Sequence, residues 1–367
     1  MGAFNGQLRS NEIFSALYNM IISQQVFADN IQKHQTLVDK AKEEAGLFGD
    51  TKLYYSADVI GSNPWGNDAE AGNLLALDRP EAPEVQALVI DTFRQVRLTT
   101  DEYLSKRAWG TESAFANFTS VMIGMIDIAK KIYEGTLYNV FIGTAKSAES
   151  AQNISIDLDA GVDANVDESA LDLAKLEAMN IAKGLADLFV KMGDYSRDFN
   201  DYHHMRSYAG ENIKVVWNAD YVNKIRKVDL PTIFHKDGLV DKFDEDVLPA
   251  KYFGNKNAAK VLAANNTVAG KYRAAVEKVF GTGASAVHCF PGEVIPTGVD
   301  IEAGEGYEVD PDVICKVLVK LPPMLSAFSV GTSFFNPRSL TTNRYLTWGH
   351  STLEYLKNYP FITVKKA

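Results

Sequence analysis

The sequence predicts an α+β fold with one long extended insertion, and three observations lead there. Between residues 52 and 98 two extended runs flank a polar flap. Two helix-length apolar stripes follow, over residues 111–143 and 167–193. The last third of the chain reads as strands interrupted by proline. At 367 residues the length fits about two domains, or one body with a large insertion.

Taken in order, Ser10 or Asn11 caps a first helical region with Glu12 in its first turn. Ile13, Leu17, Met20, Ile21, Ala28, Ile31 and Val38 then recur at helical spacing until Gly46 and Gly49. This is either ordinary surface helix or an arm that reaches a neighbour. The run from Lys52 to Ile60 has the aromatic and β-branched content of a strand. Residues 61–83 hold Pro64, Gly66, Gly72, Pro80 and Pro83 around Trp65, and extended structure resumes from Val85 to Leu98. Together these predict a long hairpin with a loose tip, its base kept from full pairing by Pro80 and Pro83. A loop of that length without apolar periodicity is functional or is ordered by something outside itself, here expected to be another copy of the chain.

Thr111 is a good N-cap, with Glu112 at the positive end of the helix dipole. From Phe115 to Phe141 apolar residues step by threes and fours, which predicts a helix roughly 45 Å long at 1.5 Å per residue, closed by Gly143. Residues 144–166 are small and polar and mark a boundary. Their aspartates imitate a calcium loop, but no bidentate Glu follows at the twelfth position from Asp157. Asp167 caps a second helix over Leu171 to Met192, stopped by Gly193. Beyond it the pattern predicts a strand at Glu211–Asn218, a turn-rich segment at 229–257, a helical piece from Val268 to Phe280, and strands at Ala286–Phe290, Cys315–Leu321 and from Thr341 onward.

Composition excludes several classes. Hydrophobic content of 46% argues against disorder, and a net charge of −10 disfavours a dedicated nucleic-acid binder. Cys289 and Cys315, the two cysteines, form neither a CxxC pair nor a disulfide framework, so a reducing cytosolic origin is expected. No signal-peptide layout opens the chain, Gly6 stands where myristoylation needs Ser or Thr, and the apolar run Val121–Ala129 is too short to span a bilayer. The expectation is a soluble chain made in the cytoplasm.

The search for chemistry finds no foothold. Adjacent residues point different ways, so His203 and His204 do not share one ion in regular structure, and His288 and Cys289 face opposite sides of a strand. Gly281 to Ala286 imitates a dinucleotide turn but is read with a helix before it and a strand after it, the reverse of what that motif needs. No catalytic residue, cofactor site or metal site is predicted.

The order arm, hairpin flap, long helix, mixed middle and strand-rich end resembles the tailed-bacteriophage major capsid protein family, with its Hong Kong 97-type fold. More locally, Asn336-Pro-Arg-Ser-Leu340 followed by Tyr345-Leu-Thr-Trp348 is similar to the end of capsid proteins of small short-tailed phages of the phi-twenty-nine type. Met205-Arg-Ser-Tyr208, Val215-Val216 and Asn218-Ala-Asp220 add to that similarity. The resemblance implies an N-terminal arm at residues 1–50, an E-loop at 51–98, a first part of the P-domain with the spine helix at 99–150, an A-domain at 151–300 and returning P-domain strands at 301–367. It implies a shell of many copies, as hexamers and pentamers, enclosing double-stranded DNA without sequence-specific binding. A separate scaffolding protein and a portal protein are the implied partners, no membrane is involved, and the virion, with the host cytoplasm during assembly, is the implied location. Trp65, Asp91, Arg94, Arg97, Asp101, Glu102 and Arg107 are the candidate inter-subunit contacts. Relatives that cross-link do so through an E-loop lysine. Residues 61–83 contain none, so a shell held without covalent bonds is expected. The alternatives are an encapsulin-like compartment or, from another class, a soluble enzyme with an atypical site in residues 151–300.

Overall fold

The computed structural model describes residues 36–45, 51–62, 79–101, 112–161, 170–222, 244–256, 261–262 and 272–367. The part of the expected first helical region before residue 36, Trp65, Glu102, Arg107 and the caps Thr111 and Asp167 lie outside them; the described end of that region is helical over Thr36–Ala41 and then, against expectation, a strand over Lys42–Glu44.

In chain order the elements begin with α1 (Thr36–Ala41), β1 (Lys42–Glu44), β2 (Thr51–Ser56), β3 (Glu84–Asp101), α2 (Glu112–Thr144), β4 (Asn153–Ile156) and α3 (Ala170–Gly193). There follow β5 (Lys214–Asn218), β6 (Asp244–Leu248), β7 (Gly254–Asn255), β8 (Val261–Leu262), β9 (Tyr272–Ala274), β10 (Lys278–Phe280), β11 (Val287–Cys289) and β12 (Asp300–Ile301). The chain ends through β13 (Gly306–Val309), β14 (Val313–Leu318), β15 (Met324–Asn336), β16 (Thr341–Ser351) and β17 (Phe361–Lys366). The fold class is α+β.

The chain forms two compact units. One comprises residues 1–50, 90–138 and 324–352; the other comprises 51–89, 139–323 and 353–367. In the first, β1 runs parallel to the start of β15, β15 pairs antiparallel with β16, and β16 pairs antiparallel with residues 90–101 of β3. The helix α2 packs here through Tyr133, whose hydroxyl lies 2.8 Å from His350 Nε2 and whose ring meets Trp348 edge-on at 5.9 Å. Beside it the buried Glu134 accepts from Lys42 Nζ at 2.7 Å.

In the second unit a five-stranded mixed sheet has the order β4, β17, β14, β5, β6. Its central strand β14 is buried at every position, as expected of a strand covered on both faces. Ile181, Leu185, Leu188 and Met192 of α3 share one core with Val215, Trp217, Ile314, Ile362 and Val364 of the sheet. A separate small core, Ala274, Phe280, Cys289, Ile295 and Ile301, lies among the short strands β9 to β12.

Four further expectations change. Val268–Phe280 is not helical: its described part holds the strands β9 and β10, because pairing with β13 and β11 outweighs the helical preference of Ala-Ala-Val-Glu-Lys. The turn-rich segment 229–257 contains a strand, β6, running parallel to β5. Gly143 does not end its helix, which continues to Thr144. A Cβ at Gly143 would stand 2.2 Å from the Tyr252 carbonyl oxygen, so the glycine permits a close approach of backbones. The second extended run is only partly a hairpin arm, since β2 pairs with residues 84–89 and the rest of β3 pairs with β16.

Candidate functional site

The hairpin of β2 and the start of β3 has two unlike faces. Alternation in the antiparallel pair puts Lys52, Tyr54, Ser56, Glu84, Gln86 and Leu88 on one side. Ser56, Gln86 and Leu88 on that side are buried. The other side carries Leu53, Tyr55, Val85, Ala87 and Val89, and it is exposed: Tyr55 retains 66% of its surface and the other three large side chains 45–47%. Apart from Thr51, which shares this side, the exposed ribbon face is apolar, and an exposed face of that kind is unusual on an isolated chain.

The inward face is fastened by polar groups. Gln86 donates from Nε2 to the Tyr355 carbonyl and accepts from the Lys357 amide, both at 3.0 Å, so its side chain serves as one more peptide group against that segment. Ser56 Oγ donates to Asn358 Oδ1 at 2.6 Å and lies 2.8 Å from His204 Nδ1. With the hydroxyl proton committed to Asn358, His204 is the donor to Ser56, which makes this a structural bond and not an activated nucleophile.

His204 belongs to a loop whose neck is closed by two backbone bonds between Ser196 and Arg206, at 2.9 and 3.0 Å. Inside it the fully buried Asn200 brackets His204, accepting its amide and donating to its carbonyl. Asp201 collects Ser147 Oγ, Gln152 Nε2 and the Tyr355 hydroxyl at 2.6–2.8 Å. Burial first, and then the Asp201 carboxylate, push the Tyr355 hydroxyl up to about 12. The loop therefore joins the exit of α2, the segment before β17 and the end of the hairpin nearest its connecting residues.

Just beyond that end, Asp58 Oδ1 accepts the amides of Met205 and Val59, each at 2.8 Å, and Oδ2 accepts Arg197 Nη1. The Met205 amide, and next the Arg197 guanidinium, hold its carboxyl well below the usual carboxylate range. The same Arg197 nitrogen donates to the His203 carbonyl at 2.6 Å, and Arg206 donates to the Ala57 carbonyl at 2.6 Å. His203 presents that carbonyl from a left-handed backbone, φ +54°.

The residues singled out from sequence fall differently. Asp91 and Arg97 are exposed, in the alternation shared with Phe93, Gln95 and Thr99. Six residues of strand separate the two by about 20 Å, so they do not pair within one chain. Asp91 accepts the Thr92 and Thr352 hydroxyls, which outweigh the effect of burial and keep its carboxyl low. Arg94 lies on the other side of the strand, its guanidinium 4.9 Å from the centre of the Tyr133 ring. Asp101 is half-buried opposite Thr341.

His203 and His204 do not converge: one lies 3.6 Å from Glu149, the other against Ser56. Cys289 is buried, with its thiol pushed up by burial, whereas His288 is exposed beside Glu277, on the opposite side of the strand as expected. Around Gly281 a strand precedes, but a short 3-10 turn and another strand follow, so no helix N-terminus faces the glycines. Sequence reasoning missed the clamp at Ser56, Asp58, Gln86, Arg197 and Asp201. One signal was present: Gln86 occupies the inward phase of Leu88 and Ile90, where an apolar residue is the norm.

The arrangement defines a class. The α+β chain, with its long strand, long helix and returning strands, has the Hong Kong 97-like fold found in phage capsid structures. A chain of the Staphylococcus phage Andhra capsid matches 89% of this chain and 83% of its own length, at a TM-score of 0.58 and 11% identity. A chain from the structure of the head fiber and inner core protein gp22 of native bacteriophage P68 matches 90% and 84%, at a TM-score of 0.56 and 10% identity. No family sequence model matches the chain. No curated protein sequence matches it either.

Proposed function

We propose that this chain is the major capsid protein of a tailed phage, assembling with many copies of itself into an icosahedral shell around double-stranded DNA. The observation that carries the reading is the hairpin with one face bonded to its own body and the other left apolar and exposed. Such a ribbon gains its missing burial from another copy, at roughly 25 cal/mol per Å² of apolar surface covered, in an interface repeated by symmetry. Residues 1–50 then act as the arm, 51–98 as the E-loop, 99–150 and 301–367 as the P-domain with α2 as its spine, and 151–300 as the A-domain. Trp65, Asp91, Arg97, Asp101, Glu102 and Arg107 remain proposed contacts, with Arg94 supporting the strand from behind.

The role is structural, not catalytic. A net charge of −10 suits a lining that does not grip the packed genome. A scaffolding protein guides closure and a portal protein occupies one vertex. The absence of lysine from residues 61–83 supports a shell without cross-links. Electron microscopy of the expressed chain tests the reading: closed particles support it, and nucleic acid in native particles separates a phage capsid from a compartment that encloses protein. A small oligomer under every assembly condition, by size-exclusion chromatography, refutes it.

A further inference from the structure

We infer that the cleft between α2 and the paired strands β15 and β16 is a carboxylate site, centred on Arg344, that takes an acidic side chain of a second copy of the chain. The source of that side chain rests on the capsid reading, but the site itself is read from the geometry alone.

Three observations carry it. First, the cleft has a volume of about 330 Å³ and lies within one compact unit. Ile126 and Asp127 of α2 line it together with Gly331, Ser333, Arg344 and Leu346 of the sheet. Gly331 stands opposite Leu346 and Ser333 opposite Arg344, so these four share one face. Second, Arg344 Nη1 is buried without a hydrogen-bond partner, and the guanidinium forms no ion pair among the described residues. A buried donor with no acceptor is costly, and the partner that best matches a guanidinium fork is a carboxylate. Third, Gly331 lies inside a strand for no reason that its own chain supplies. Its backbone is not left-handed, and a Cβ added there would meet no atom within 4 Å. A glycine inside a strand weakens it, and such a residue marks a place where a ligand or another backbone comes close.

The lining narrows the occupant. Ile126 and Leu346 suit a short aliphatic stem, and Ser333 offers a hydroxyl beside the arginine. Asp127 is exposed in the same lining, so a dianion such as phosphate is repelled more than a single carboxylate. With 47 acidic residues against 37 basic ones, the chain carries a surplus of carboxylates to supply. Beside the cleft β15 also exposes Phe334 and Phe335, apolar surface that a second copy would cover.

The test measures the thermal midpoint of the unassembled chain with propionate, whose carbons reproduce a glutamate side chain. Propionate should raise the midpoint, whereas neutral propionamide, and phosphate at equal ionic strength, should not. Arg344→Met removes the unpaired donor. It should lose the propionate response while its ligand-free midpoint stays level or rises. Gly331→Val fills the cleft with a residue that suits a strand, and it should lose the response in the same way. In assembly followed by light scattering, Arg344→Met should need about tenfold more chain than native, or greater. A lower ligand-free midpoint in Arg344→Met would mean that the chain itself satisfies the arginine, and it overturns the inference. So does a propionate response that is absent from the native chain or equal in native and Arg344→Met, and so does assembly of Arg344→Met at the native concentration. If the native chain makes no shells while the midpoints respond as expected, the capsid reading fails and the carboxylate site stands.

Discussion

Lys316 is fully buried in the middle of β14, and its amine donates to the Ala145 carbonyl at 2.7 Å and to Thr363 Oγ1 at 2.8 Å. Burial, followed by the charges of Lys146 and Lys365, brings its pKa from 10.5 down to about 7, against the opposing pull of Asp310. Between those values the unfolded chain binds a proton that the folded chain lacks, so stability should rise with pH from about 7 to 10.5 and be least below 7. Urea midpoints across that range check this, and Lys316→Met should flatten the rise. His350 gives the complementary case: burial lowers its pKa, so its contribution is complete above the ordinary histidine value and declines as pH falls below it. At Gly143 the constraint is steric. Gly143→Ala would press a methyl against the Tyr252 carbonyl and should cost about 1–3 kcal/mol in urea unfolding. The helical spacing around Gly143 was legible in the sequence, but the approach of Tyr252 from more than a hundred residues away was not.

Among the elements, α2 and α3 were readable because each carries a long apolar stripe of one period, and their observed bounds fall within a few residues of those expected. The short strands β9 and β10 were not, since two or three residues carry no periodicity and their state is decided by partners distant in sequence. β3 was recognised as a strand, but its division between two partners depends on the register of β16, which no local pattern encodes. The hairpin's strands were visible in their aromatic and β-branched content, whereas the polar clamp beneath them joins residues up to about 300 positions apart. At this scale the expected result concerns Tyr55. Tyr55→Ser should leave the isolated chain within about 0.5 kcal/mol of its native stability, because the side chain touches little of its own body, and should abolish assembly measured by sedimentation. Loss of stability together with loss of assembly would mean that the face is covered by its own chain.

For the whole molecule, the order of extended runs, long helix and returning strands was legible, and the fold is shared at only 10–11% identity with chains from two phage structures. Agreement at that distance is possible because a layered fold is held by buried periodicity and strand order, which many sequences satisfy. What one chain does not display is the interfaces proposed for it, since another copy would complete them. A non-covalent shell should fall apart in hot detergent to a single band at 40.4 kDa, and a ladder of multimers would show cross-links. The central claim is assembly itself, and its most direct measurement is electron microscopy of the purified chain, expressed alone and with a scaffolding protein. Closed icosahedral particles of one diameter are the expected result; a discrete small oligomer, with no shells under any condition, would contradict it.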